Sequence, residues 1–231
     1  MKKAVSVIFA VAVMVTASYS FGASIRNSKH DLSSSSSGGI TSNTTQVCVF
    51  CHTPHNARNG YPLWNRTLGT NTPGSFVLYT SAQMRTKNYT VGAGFTSDSV
   101  SLYCMTCHDG GAIGGRIKNP PADVGASPVV VTDGGVDITG DAITNARYNI
   151  GTDLTNDHPV NFGMVDTDTA IKNVNLTAMT VGTQALPLYR STGRGVTMEC
   201  ASCHNVHDPQ YKPFLRMSND GSALCLNCHD K

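Results

Sequence analysis

The fold class predicted by the sequence is mostly irregular and loop-rich, a single domain with short helices and a small β-hairpin, and three observations predict it. Glycine and proline number 22 and 10 among 231 residues, and no long run of helical period survives between them. Charged residues are only 14% of the chain, with Ser, Thr, Asn and Gly filling the stretches between motifs. Every cysteine falls in one repeated pentapeptide, C-x-x-C-H, at Cys48/Cys51/His52, Cys104/Cys107/His108, Cys200/Cys203/His204 and Cys225/Cys228/His229.

In chain order, residues 1–22 carry two lysines, an apolar run and a small-residue end, which reads as a secretory signal peptide cleaved after Gly22. The run is short for a membrane span, and Ser and Tyr interrupt its end. Residues 23–231 then form one domain, exported, with no second candidate for a transmembrane anchor. The arm over 23–46 contains "SSSSSGG" at 33–39 and is expected to have little structure of its own; His30 stands within it. Between 60 and 101 turn signals alternate with short apolar runs, where Trp64 and Tyr79 are candidates for core filling or for packing against a cofactor edge. Residues 129–131 and 136–138 flank a Gly-Gly turn and predict the hairpin. Short helical turns are expected over 197–205, 215–218 and 223–231.

The motif spacing carries the chemistry. Two thiols separated by two residues can add to the two vinyl groups of one haem, and the following residue brings an imidazole under the iron as proximal ligand. The sequence therefore predicts four covalently bound haem c groups, with His52, His108, His204 and His229 as iron ligands. A disulfide framework has no use for a histidine after every second cysteine. Tetrahedral zinc combines two C-x-x-C elements and would leave each adjacent histidine surplus. A thioredoxin-like redox motif is expected once, on a βαβ framework that the pattern lacks. Roughly 52 exported residues per haem are too few to wrap each macrocycle separately, so the domain is expected to be built around a chain of four haems.

Four histidines remain, His30, His55, His158 and His207, matching the number of sixth ligands required. His55 and His207 sit in "CHTPH" and "CHNVH", three residues after a proximal histidine. Three residues extend only ~10 Å, too short to round a porphyrin edge, so each must serve a different haem from its neighbour. Taken in order, His30, His55, His158 and His207 would complete the first to fourth haems. Bis-histidine iron has no position open to substrate and lacks the Met ligand that raises potential. Such a protein transfers electrons and is not an enzyme. A haem reductase would need an open iron, and no C-x-x-C-K variant supports one.

The formal charge is +2, and the two lysines of the signal segment account for it. Two propionates on each haem would add about −8 against about +4 from ferric iron, so the loaded protein is acidic. No Lys/Arg run or basic stripe points to nucleic acid. A sparsely charged surface repels its own copies weakly, which suits close association.

The strings "KHDLSSSSSGG", "CVFCHTPHNA", "PLWNRT" and "GTDLTNDHPVNF" together with the paired motifs resemble the multihaem c-type cytochromes, in particular the tetrahaem outer-surface nanowire cytochromes of metal-reducing bacteria. The resemblance covers essentially all of residues 23–231. It implies a homopolymer, an extracellular filament with haems stacked across subunits, whose redox partners are other cytochromes or extracellular metal oxides. It also implies an axial histidine shared between subunits, with His55 the first choice and His30 the second. A monomeric periplasmic electron shuttle is the alternative that the same haem motifs allow.

Overall fold

The computed structural model describes residues 24–57, 63–125, 128–145 and 147–230; the expected signal peptide lies outside them. Short elements follow one another along the chain. They are β1 (Ile40–Ser42), β2 (Val77–Leu78), α1 (Ala82–Thr86), α2 (Ser101–His108), β3 (Val131–Asp133), β4 (Val136–Asp137), β5 (Asp153–Leu154) and β6 (Phe162–Gly163). After these come β7 (Thr180–Val181), β8 (Leu186–Pro187), β9 (Tyr189–Ser191), β10 (Gly195–Met198), α3 (Cys200–Cys203) and α4 (Ala223–Cys228). No helix among the described residues is long and apolar enough to cross a membrane.

The hairpin forms, its first strand two residues later than expected and its second starting at the expected Val136. β3 and β4 pair antiparallel through Thr132–Asp137 and Asp133–Val136, and Gly134 and Gly135 turn the chain with φ of +56° and +88°, angles that cost glycine no side-chain clash. Val131 and Ile138 are buried, while Val136 is exposed. The N-terminal arm departs from expectation. β1 pairs antiparallel with β3, Ile40 opposite Asp133 and Ser42 opposite Val131, making a three-stranded sheet. Polar side chains fix the arm where a serine-rich composition suggested a loose tether. Thr44 Oγ1 donates to Asp123 at 2.7 Å and the Thr45 backbone N–H at 2.8 Å, Lys29 Nζ reaches the Gly38 carbonyl at 2.5 Å, and Leu32 enters the core beside Phe50 and Val131.

A second three-stranded sheet has the order β6-β10-β9, and it displaces part of a predicted helical turn. Thr197 pairs with Gly163 on one side and Tyr189 on the other, because Val196 and Met198 both bury apolar surface from a β position. The helical turn starts only at Cys200. Residues 215–218 form no helix; Leu215 instead bridges to His204 and Tyr211. Tyr79 remains partly exposed, so it fills no core.

Three apolar clusters share the burial. One gathers Phe162, Val181, Leu186 and Met198, a second Phe50, Ile113 and Val131, and a third Phe76, Leu102, Met105 and Leu154. Each fully buried side chain of this size contributes about 1.5–3 kcal/mol, so the polypeptide supplies cores of its own beside the motifs. Cys51 and Cys107 pack against the second cluster and Cys228 against the first.

Candidate haem-binding site

Each C-x-x-C-H segment takes the helical curl that brings two sulfurs to one side. The His52, His204 and His229 backbone N–H groups donate to the carbonyls of Cys48, Cys200 and Cys225 at 2.8, 3.0 and 2.9 Å, and Cys104, Cys107 and His108 lie on α2. No two of the eight cysteines are joined to each other. Among the described residues no three His, Cys, Asp or Glu side chains converge as a metal-binding group.

Neighbouring chain clamps each segment. Buried Asn65 donates from Nδ2 to the Val49 carbonyl at 2.7 Å, and its backbone N–H to the Cys51 carbonyl at 2.9 Å. Ser101 Oγ, at the start of α2, donates to Glu199 at 2.5 Å and accepts from the Cys200 N–H at 3.0 Å, joining the second motif to the third. Arg216 Nε holds the Ala201 carbonyl at 2.7 Å. Beside the fourth motif Asn227 accepts from the Gln184 N–H at 2.8 Å, and Gly182 passes so close that any Cβ would meet the Asn227 amide. Nothing in a C-x-x-C-H pattern signals Asn65, Ser101 or Glu199; their roles depend on contacts across tens of residues.

The second and third motifs meet through Ser101, which accepts from the Cys200 N–H at 3.0 Å. In the haem-free chain, interaction with the Cys200 sulfur, then burial, pushes the Cys104 thiol well above its ordinary value. Burial, with Cys107 nearby, raises Cys51 to about 12, and burial, with Cys228 and Cys200 close, raises Cys203 to about 11. The third motif is thus joined to the second through Ser101, which bonds both Glu199 and the Cys200 N–H.

The histidines face one another in pairs. Ring centroids lie 6.1 Å apart for His30 and His108, 6.1 Å for His52 and His207, and 6.3 Å for His158 and His229. A metal–imidazole bond of ~2 Å and about 1.1 Å from nitrogen to ring centre put two imidazoles trans on one metal about 6.2 Å apart. The three spacings fit an iron held between each pair. The unused nitrogens agree: Nδ1 of His108, His158 and His204 donates to the carbonyls of Tyr148, Pro159 and Pro213 at 2.6, 2.9 and 2.9 Å, fixing the tautomer that leaves Nε2 free as ligand. Burial, then the imidazoles of His108, His204 and His207, push His30 down to about 4, which keeps it in the neutral form a metal requires. Trp64 stands edge-on to His52 at 5.8 Å and packs at a tilt against Tyr103 at 4.7 Å.

This pairing departs from chain order. His30 faces the second motif, not the first; His207 faces the first, not the fourth; His158 faces the fourth, not the third. The in-order expectation assumed that short sequence separation means short distance, whereas the arm and the 205–215 loop fold across other motifs. His55 is exposed, and among the described residues it and His204 are not paired with each other at ligand spacing.

Residues 195–231 match the family model for a doubled CXXCH motif, covering the third and fourth motifs. That segment is a c-type cytochrome-like haem-binding region. Its C-x-x-C-H motifs bind haem c covalently and belong to electron carriers. No curated protein matches the chain significantly.

Proposed function

We propose that the chain carries four covalently attached haem c groups, one on each C-x-x-C-H motif, and conducts electrons outside the cytoplasmic membrane as the subunit of an extracellular filament delivering them to acceptors such as metal oxides. The observation that carries this reading is the 6.1–6.3 Å spacing of three imidazole pairs. His52, His108 and His229 would be proximal ligands completed by His207, His30 and His158. Bound haem supplies one-electron chemistry at iron with no position open to substrate. The chain's own part is to fix the imidazoles through backbone carbonyls and to hold the second and third motifs close through Ser101, which bonds both Glu199 and the Cys200 N–H. Close attachment matters because electron tunnelling falls steeply with distance.

Filament assembly is supported by the resemblance to nanowire cytochromes and by the pair of histidines left over, His55 and His204, which a second copy could bring together. The test is denaturing mass measurement of the exported protein with negative-stain microscopy of the secreted fraction. Four haem increments on a chain starting at Ala23, and filaments, are expected. Fewer increments would overturn the haem count, and a purely monomeric four-haem protein would make it a periplasmic shuttle.

A further inference from the structure

Two enclosed charges of opposite sign flank the motifs, and the ligand geometry uses neither. Arg66 is 0% exposed. Its Nη2 donates to the carbonyls of Thr106 and Ile113, while Nε and Nη1 have no hydrogen-bond partner. Asp109, just past the end of α2, is held by Arg116 at 2.6 Å, so that pair is neutral, and among the described residues no carboxylate pairs with Arg66. A guanidinium keeps its proton in proteins. Thr106 lies inside the second motif, and the backbone N–H of Asn65, next to Arg66 in the chain, donates to the Cys51 carbonyl of the first at 2.9 Å, so the charge sits beside both.

Glu199 is 1% exposed and directly precedes Cys200. Its oxygens accept from Ser99, Ser101, Asn161 and Thr197 at 2.5–2.8 Å, the acceptor-only pattern of a carboxylate. Arg194 bonds Asn161 at 2.8 Å rather than the carboxylate, and its charge faces Glu199 across that amide. Ser101, which donates to Glu199, also accepts from the Cys200 N–H and opens the helix that bears Cys104, so the carboxylate sits beside the second and third motifs. Half-buried Arg216 also lies by the third motif, where water screens it more than the sealed Glu199.

We infer that Arg66 and Glu199 grade the reduction potentials along the chain. Reduction adds one negative charge at an iron; a buried cation favours it and a buried anion opposes it, with little screening at low dielectric. Arg66 thus favours reduction at the first and second motifs, and Glu199 opposes it at the second and third. On the second motif the two oppose each other, so an electron leaving the iron of the third motif and arriving at that of the first runs downhill with no proton moved. This rests on the four-haem reading above.

The test is a potentiometric titration of the full haem-loaded chain with haem methyl resonances resolved by NMR. Arg66→Gln should shift the first- and second-motif haems negative by about tenfold in the reduction equilibrium, about 59 mV for one electron. Glu199→Gln, nearly isosteric, should shift the second and third positive, and Arg66→Lys should keep the native values. Four haems with unmoved potentials in Arg66→Gln, or shifts of the same sign in both Gln variants, would overturn the grading. Should Arg66→Gln fail to load haem, Glu199→Gln decides alone, and no positive shift at the third motif overturns the inference. Fewer than four haems in the unaltered protein would instead sink the four-haem reading.

Discussion

At the scale of single residues, a histidine is committed to its role by its second nitrogen. Donation from Nδ1 to a backbone carbonyl leaves Nε2 unprotonated and the ring fixed, and His108, His158 and His204 all do this. His207 reads from the sequence as a ligand of the fourth haem, yet its ring stacks opposite His52 at an interplanar angle of 17°. His207→Ala is therefore expected to open the iron of the first motif and leave that of the fourth low-spin. Carbon monoxide binding to the reduced variant, assigned by NMR, reads this out; opening at the fourth motif would restore the chain-order pairing. The candidate ligands themselves were legible because C-x-x-C-H and CHxxH are local and chemically specific. Their pairing was not, because it follows from the fold of the 23–46 arm and the 205–215 loop, which have no period to read.

At the scale of elements, the chain makes short pieces and ties them with side chains. The hairpin was readable from two valine-rich runs about a Gly-Gly turn, but β1 was not, since Ile40–Ser42 offers three residues beside a serine tract and gains its place only by pairing with β3. The same limit hid β10, where burial on both sides outweighed the helical bias of the following motif. Asp123 anchors the arm through the Thr45 N–H and the Thr44 hydroxyl, and these bonds hold its carboxyl below the usual carboxylate range. A lowered folded pKa means stability that is present above the unfolded value of about 3.9 and lost as pH falls through the folded one. The arm should thus loosen in acid below about pH 4, seen as faster proteolysis within 24–46. Asp123→Ala should show that cleavage already at neutral pH; a variant as resistant as the native protein would mean that β1–β3 pairing alone holds the arm.

At the scale of the whole molecule, three imidazole pairs close within one chain and two histidines are left. His55 cannot reach round to its own motif's iron, because three residues span only ~10 Å, and it is exposed next to the first motif. His204 has its Nδ1 fixed on Pro213 and so is set to bind metal through Nε2. If the His55 of one copy completes the iron beside the His204 of the next, ligation and assembly are one event, and the ligand that joins two copies also fixes the distance an electron must cross between them. His30, the other histidine considered for this role, lies 6.1 Å from His108 within the chain, a spacing that favours His55 for the shared bond. Isolated chains should then show one haem of four with a single histidine, visible as a high-spin component that disappears on polymerisation. His55→Ala should keep four haems and the high-spin component while forming no filaments, whereas normal filaments with all-low-spin iron from that variant would exclude His55 as the shared ligand.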